Sequence, residues 1–573
     1  MGAFFLIHRS VGAGFDALCD RLAVSFERQG FRRAAGLTGR HWEAVGYAPL
    51  CGEAVEVEEA GAQAFCAGTL LYAGLAREQA LRRLLDDHRK AQVDEDALSG
   101  SFAAILAVGE RATVISDRTG TLHVHAANDR AVLSTSFLAL AEALPALSID
   151  ADGLYDYVLQ GAPMGPGTVF NEISLLDSER ITVFDGAIRH EERQPRPALR
   201  LRPAGLDGWA EHFVALLRAR FAAASAAWRD VDTALSGGYD SRLLLALAWD
   251  AGLRPHVHVY GRDSDADVAC AKAIAAAEGF PLDHVDKSAV PLPPPERFAD
   301  IVQANYLAFD GYPTDGIFDN GTDKATRMAR MAGGRLMLNG GGGEIFRNFF
   351  YLPDRPISAL GLVWTFYCQF DPGMMTRRFD ERAYLGRLAE RLRQAVGAGP
   401  DPLTRRQVEA AYPWFRCRYW TGHNNSLNNR LGHSWTPFID AALAQASLEV
   451  PLRFKNAGRL EARMIAVLAP RLATHRSAYG HGFDRPPPLA YRLKDLANRW
   501  RPPPLRRYSY RWKHRQPAAF EGPLAPQLLS TVMDREFPYL REYLRLERVG
   551  DSAQLQRICT LEYLFQRLQP RQG

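Results

Sequence analysis

Six residues, Ser236-Gly237-Gly238-Tyr239-Asp240-Ser241, carry the most specific chemistry in this chain. They follow the strand-like lead-in 231–235 and run straight into the Leu/Ala-rich segment 243–248. The first turn of a helix presents unpaired backbone N–H groups and the positive end of the dipole, and phosphate oxygens satisfy both. Gly237 and Gly238 let the backbone approach an anion without a Cβ in the way, and the Ser236 and Ser241 hydroxyls add donors. Asp240 would repel a phosphate unless a divalent cation lay between them, so its presence implies magnesium. The plain alternative is a serine/glycine helix cap with a solvated first-turn acid, which needs all these residue types to coincide by accident.

A Walker loop would need Gly-Lys-Ser/Thr after its four-residue gap, and none stands here. The segment instead resembles the pyrophosphate-binding loop of the adenylating ATP pyrophosphatases, and further stretches narrow the resemblance to the asparagine synthetase family. Arg335-Leu336-Met337-Leu338-Asn339-Gly340-Gly341-Gly342-Gly343-Glu344-Ile345-Phe346 is similar to that family's Ser-Gly-Glu-Gly-Ser/Ala-Asp-Glu-Leu/Ile-Phe motif. Trp435-Thr436-Pro437-Phe438-Ile439-Asp440 resembles its Arg-x-Pro-Phe-Leu-Asp segment, and 451–463 resembles the following Pro…Lys…Gly-Lys-x-x-x-Arg stretch.

The resemblance implies that ATP is cut between its α and β phosphates, that a substrate carboxylate becomes an acyl-adenylate, and that an amine attacks it. It implies an ATP and pyrophosphate site at Leu235, Ser236, Gly237, Gly238, Asp240, Ser241, Tyr260, Gly340 and Gly341, with magnesium on Asp240. Some positions depart from the pattern. Gly343 stands where the family has its second magnesium-binding aspartate, and Gly340 replaces an assisting glutamate or tyrosine. Arg459 stands at the transition-state lysine, and His433 and Trp435 replace a glutamate and an arginine. Glu344 is the carboxylate expected to complete the metal pair and to act in catalysis, unless the four-glycine run merely packs close to the nucleotide. Arg459 is the expected charge stabiliser, although arginine cannot share a proton as lysine can.

Residues 1–195 resemble the glutaminase domain of asparagine synthetases, an N-terminal-nucleophile fold, through 98–103, Asp117-Arg118-Thr119-Gly120, 134–140, Ile149-Asp150 and 168–173. The family nucleophile is a cysteine at the mature N-terminus, but Gly2 stands there and the nearest cysteine is Cys19. An inactive glutaminase-like domain is therefore expected. The nitrogen would come from free ammonia, from a partner, or from an amine of the substrate itself, as in the family's β-lactam and lasso-peptide macrolactam synthetases. An amidotransferase acting on a sugar acid, an ATP-binding pseudoenzyme or scaffold, and an adenylating tRNA- or nucleotide-modifying enzyme remain as alternatives.

A phosphate loop has to be held at the end of a strand and the start of a helix. Beyond residue 205, helical 209–228, strands 231–235 and 255–260 and helical 267–278 alternate as in a doubly wound parallel sheet, whose ligands sit at the carboxyl ends of the strands. Before residue 195, the short alternating segments 102–108, 112–116, 122–124 and 131–134 indicate packed antiparallel sheet, with helices at 15–29 and 78–87. The expected class is α/β and α+β. An N-terminal-nucleophile-type antiparallel sandwich (1–195) precedes a doubly wound parallel-sheet ATP pyrophosphatase domain (205–480), and a basic arm with C-terminal helices follows (481–573). The Pro/Arg stretch 194–203 is the expected linker.

At 573 residues, with 47% hydrophobic and 23% charged side chains, the chain is ordinary globular material too long for one core. A net charge of +4 is too small to argue for nucleic acid by itself. Seven scattered cysteines suit reduced thiols and a cytoplasmic setting, and no run approaches a membrane span. The stretch 485–517 contains two proline triplets interleaved with Arg, Lys, Trp and Tyr, which suits an anionic partner. His423, Asn424, Asn425, Ser426, Asn428 and Asn429 form a polar set in a region that faces the acceptor pocket in the family, although asparagines also cap and turn chains. Asp265 and Asp267 are expected to cap a helix. The substrates expected are a small-molecule or peptide carboxylate and an amine donor, with ATP and Mg2+ as cofactors and an oligomer left open.

Overall fold

The loop strand, Val231–Ala234, lies in the middle of a five-stranded sheet in which every neighbour is parallel. The computed structural model describes residues 2–194, 201–400 and 402–572; most of the expected linker, 195–200, lies outside them. The sheet order is Leu282–Val285, His256–Tyr260, Val231–Ala234, Leu336–Leu338, Ser434–Trp435. The chain leaves the loop strand toward one edge and returns on its other side, so the carboxyl end of Val231–Ala234 opens on the crevice where the winding reverses. The helix Tyr239–Asp250 follows at once, and Leu243, Leu244 and Leu247 are all but fully buried. Each such leucine contributes about 1.5–3 kcal/mol relative to an exposed one, which fixes the helix start against the sheet.

The N-terminal part is built from two six-stranded antiparallel sheets. One contains Ala3–His8 beside Trp42–Ala48 and Val132–Ser134; the other contains Ala62–Gly68, Phe102–Val108 and Arg111–Ser116. Alternate residues of both sheets, among them Phe4, Leu6, Trp42, Phe65, Ile105 and Val114, fill the layer between them. Helices Phe15–Arg28 and Phe137–Ala143 cover the first sheet, and Arg77–Arg89 covers the second. The molecule is thus mixed α and β, with antiparallel sheets, one parallel sheet and many helices.

The strand expected at 122–124 is displaced to His125–Ala127. The Asp117 carboxylate accepts the Thr121 amide (2.9 Å) and the Leu122 amide (3.0 Å), and this side-chain competition holds the chain in a turn. The basic stretch near 500 is two helices, Leu489–Trp500 and Pro503–Lys513.

Asp310, at the end of a helix in the C-terminal part, ties the two parts together. Its carboxylate accepts the Ser136 hydroxyl (2.6 Å) and the Phe137 and Leu138 amides (2.8 and 3.1 Å), capping a helix of the N-terminal part. It also meets the buried Arg430 guanidinium at 3.1 Å. Asp310→Ala leaves that guanidinium without its acid, so a loss of about 3–5 kcal/mol is expected, read as a lower urea midpoint. At the same end of the first sheet, a Cβ on Gly2 would lie 1.6 Å from the Tyr47 carbonyl oxygen. Gly2→Cys is therefore expected to lower the melting temperature and to yield no glutamine hydrolysis in an ammonia-release assay.

Candidate functional site

The Ser236 loop is tied to itself by its serines. The Ser236 amide donates to Ser241 Oγ at 3.0 Å, the two hydroxyls lie 3.0 Å apart, and the Gly238 amide donates to Ser236 Oγ at 3.2 Å. Leu235 is buried and its amide donates to the His258 carbonyl (2.8 Å), which registers the loop against the neighbouring strand. Gly238 is the N-cap of Tyr239–Asp250 and supplies no side-chain cap. The Gly237 amide donates to Asp267 Oδ1 at 2.8 Å, so a carboxylate is aimed at the backbone of the phosphate loop. Asp267 therefore serves the loop rather than its own helix. Asp265 is the N-cap residue there, yet its carboxylate accepts the Arg262 amide of the preceding turn.

Residues 475–483 lie across this loop. The Ala478 amide donates to the Gly237 carbonyl (3.1 Å), and a Cβ on Gly237 would sit 2.5 Å from that of Ala478. The Tyr239 ring stacks on Phe483 (4.1 Å) and Tyr479 (5.0 Å), while the buried Arg242 donates to the His475 and Arg476 carbonyls (2.7 and 3.3 Å). Gly237 is thus required by close packing as well as by chemistry.

Asp240 belongs to an ion cluster centred on Arg347. The Arg347 guanidinium reaches Asp240 Oδ2 at 2.5 Å, Glu461 Oε2 at 3.2 Å and Glu344 Oε1 at 3.5 Å. Glu461 is fully buried on the helix Arg459–Leu468, which packs against Tyr239–Asp250. A Cβ on Gly343 would lie 1.8 Å from Asp240 Oδ1 and 3.1 Å from Glu461 Oε1. The absent side chain at 343 is therefore what lets the two carboxyls face one another. Asp240 Oδ1 and Glu461 Oε1 are both buried, and the two carboxyls share a side-chain hydrogen bond. Burial, then the Asp240 charge, pushes the Glu461 carboxyl well above the usual carboxylate range, with Arg347 opposing. Burial also raises Asp240, against Arg347 and with Glu344. For Arg347, burial works against its charge, but Asp240, Glu461 and Glu344 together outweigh it.

Glu344, in a tight turn at Gly343–Phe346, accepts the Tyr412 hydroxyl on Oε2 at 2.5 Å. Its near neighbours are thus a phenol and a guanidinium, and the acid facing Asp240 across position 343 is Glu461 instead. That corrects the expected Asp240–Glu344 pair. Among the described residues no three His, Cys, Asp or Glu side chains converge on a metal position. Two facing carboxyls that share one proton do suit magnesium, which would replace that proton, uses one or two carboxylates and completes its shell with phosphate and water.

Beside the cluster, at the carboxyl ends of the parallel strands, lies a cavity of about 490 Å³ lined by Ala234, Tyr260, Asn339, Gly340, Gly341 and Glu344, among others. Gly340 rests on the Asp240 backbone, and the Gly341 amide donates to Asn339 Oδ1 (2.9 Å). The Tyr260 ring lies between the Lys287 ammonium (4.5 Å) and the Arg330 guanidinium (4.2 Å). Burial pulls Arg330 down to about 10 against the pull of Asp232. A run of π-helix, Tyr412–Thr421, brings Tyr412, Trp420 and Thr421 into the lining of the same cavity. Of the polar set on Gly422–Leu431, Asn424 and Asn428 line the cavity, as an i,i+4 pair must share a face. Asn425 and Asn429 point the other way, to Ser101 Oγ (3.2 Å) and Thr69 Oγ1 (3.1 Å), and Ser426 accepts the His123 amide. Those residues join the two parts of the molecule. His423 likewise packs internally, against the Tyr312 carbonyl at 2.9 Å.

Arg459 does not join the cluster. It starts the helix that carries Glu461, is exposed, donates to the Arg453 carbonyl (3.2 Å) and lies over the Phe454 ring. Residues two apart on a helix do not share a face, so burying Glu461 turns Arg459 outward. The cation at the acids is Arg347, just past the Glu344-Ile345-Phe346 match, and neither it nor Glu461 was expected from the sequence. For Glu461 a signal was present: it shares the buried face of its helix with Leu460, Met464 and Ile465. His433 and Trp435 are buried, each against an aromatic partner, Trp228 and Phe221.

Gly343→Ala drives a methyl into Asp240 Oδ1 and is expected to cost about 1–3 kcal/mol of stability; the larger, charged Gly343→Asp is expected to cost at least as much in the same melting assay. Glu461 titrates higher folded than unfolded, so its favourable contribution is full below the ordinary glutamate pKa and is lost as pH rises through the folded value. Glu461→Gln is therefore expected to melt higher than the parent at pH 8, with the difference shrinking towards pH 5.

No family model matches the chain, and no curated protein matches it. Among solved structures, a similarity is found to one described as the allosteric regulatory enzyme of purine biosynthesis. It covers 51% of this chain and 82% of that one at 10% identity, with a TM-score of 0.24, too low to carry an argument about fold or function.

Proposed function

We propose that the chain is an ATP-dependent amide-forming ligase of the asparagine synthetase type. It activates a carboxylate as an acyl-adenylate, releases AMP and pyrophosphate, and hydrolyses no glutamine within the chain. The observation that carries this reading is the Ser-Gly-Gly-x-Asp-Ser loop at the carboxyl end of the middle parallel strand, with Asp240 facing Glu461 beside a cavity of about 490 Å³. In this reading the N-terminal part is a glutaminase-like sandwich without its nucleophile. The steric conflict of any side chain at position 2 with Tyr47 supports that.

The loop's own groups account for pyrophosphate binding. The backbone at 236–238 and the hydroxyls of Ser236 and Ser241 offer donors at a helix N-terminus, and a phosphate would take the place of the Asp267 carboxylate on the Gly237 amide. Magnesium would be held by Asp240 and Glu461 and would supply neutralising charge for the departing pyrophosphate. Arg347 holds Asp240 in place and offers a fixed positive charge within reach of the same phosphates. Tyr260, flanked by Lys287 and Arg330, provides an aromatic face and cationic charge on the opposite wall. Asn424 and Asn428 are placed to orient the acyl or amine partner.

A nucleotide-binding scaffold without turnover is the second reading. It is favoured by Arg347, which engages all three acids, and by the 475–483 segment that covers Gly237. ATP–pyrophosphate exchange over a panel of amino acids, short peptides and sugar acids separates the two. Exchange is expected for the parent, with a loss of at least 100-fold in Asp240→Ala and a change of less than threefold in Arg459→Ala. ATP binding without exchange on any member of the panel would favour the scaffold, and release of ADP and phosphate would overturn the adenylation chemistry.

A further inference from the structure

Twelve large hydrophobic side chains are exposed among the described residues, and seven of them fall between 489 and 512. On Leu489–Trp500 they are Leu489, Leu493, Leu496 and Trp500, spaced i, i+4, i+7 and i+11, which places them on one face of the helix. On Pro503–Lys513 they are Leu505, Tyr508 and Trp512, spaced i, i+3 and i+7, again on one face. The opposite faces are engaged. Tyr491 packs on Tyr479 and His481, and the buried Asp495 pairs with Arg499. On the second helix Arg506 donates to the Phe350 carbonyl, Arg507 and Arg511 reach Glu381, and Tyr510 donates to Asp551. The hairpin is thus anchored on its inner side, and its apolar outer stripe is 41–71% exposed, with arginines as the cations over its rings.

The charge beside that stripe has one sign. Residues 489–515 contain nine Arg and Lys against one acid, Asp495, a net of 9 − 1 = +8, while the whole chain carries only +4. Arg492, Lys494, Lys513 and Arg515 are exposed, so cationic heads flank leucines and tryptophans. A second copy of the chain fits this face poorly, because a twofold contact would set the basic hairpin against itself. Nucleic acid would use the cations and rings but leaves the leucine stripe unexplained. Aliphatic side chains, interfacial tryptophans and flanking cations together match a bilayer surface that carries anionic headgroups.

We propose that the hairpin 489–513 docks the protein peripherally on an anionic lipid surface, its apolar stripe lying in the headgroup boundary. Among the described residues no helix is long and apolar enough to cross a membrane, so the attachment lies in the surface plane. The same hairpin contributes Arg501, Arg506 and Lys513 to a cavity of about 920 Å³ that extends to Glu344 and Arg347, so docking would bring that cavity beside the bilayer. The full chain would be sedimented with vesicles of phosphatidylcholine alone and with 30% phosphatidylserine. Partition at least tenfold stronger onto the anionic vesicles is expected, weakening with salt and accompanied by a blue shift of tryptophan emission. Leu493→Glu/Leu496→Glu/Trp512→Glu changes only exposed positions; it should keep the parental melting temperature and lose the partition. Equal partition onto both vesicle types, none onto either, or retention by the variant would overturn the proposal. So would a parental dimer that the variant disrupts, or RNA binding that outcompetes the vesicles.

Discussion

Arg347 is the contact on which the candidate site depends. Three carboxyl groups from separate parts of the chain, Asp240, Glu344 and Glu461, lie around one guanidinium, and two of them, Asp240 and Glu461, also bond to each other. With every group ionised the formal charge is −3 + 1 = −2, and Glu461 is the one of the four with no exposed surface, where a charge costs most. A proton held on Glu461 reduces it to −1, in keeping with the upward shift of that carboxyl. Gly343 is the steric counterpart of this arrangement, since any larger residue would occupy the position of Asp240 Oδ1. The glycine at 343 and the acid at 461 are therefore one feature. The space left by the four-glycine turn is filled by a carboxyl from the helix that packs against the loop helix.

This explains what the sequence could and could not convey. The strand–loop–helix at 231–250 was legible because glycine, serine and acid types at fixed spacing are local requirements. The alternation of strand and helix beyond 205 was legible for the same reason, and the parallel order of the sheet follows from it. Glu461, Arg347 and Tyr412 were not, because their meaning comes from a meeting of segments more than a hundred residues from Asp240. The motif match pointed to Arg459, but the helix periodicity that buries Glu461 faces Arg459 outward. The asparagine set shows the same limit: a helical repeat divides it between a cavity and an interdomain seam, and the residue types alone cannot say which member serves which.

The basic arm was legible in composition but not in form. No helix was expected in this arm, yet Pro488 and Pro502 each stand at a helix start, where a missing N–H is harmless. Only once both helices exist do the leucines and tryptophans align on outer faces while the arginines divide between anchoring and solvent.

Asp267 bears on how the loop is kept ready for an anion. A backbone amide at a helix N-terminus that is buried and unpaired costs about 1–3 kcal/mol, so a phosphate loop must either bind its anion or close in some other way. Here the Gly237 amide has a carboxylate at 2.8 Å, and the Ser236 and Gly238 amides have hydroxyls. Each of these acceptors is a side chain that can rotate away, whereas the backbone is fixed by Leu235 on one side and Ala478 on the other. Exchange of the Asp267 oxygen for a phosphate oxygen replaces one charge-assisted hydrogen bond with another, so ligand binding need not be paid for by refolding the loop. In the proposed reading the Asp267 carboxylate is drawn to the Gly237 amide by the same field that would hold pyrophosphate.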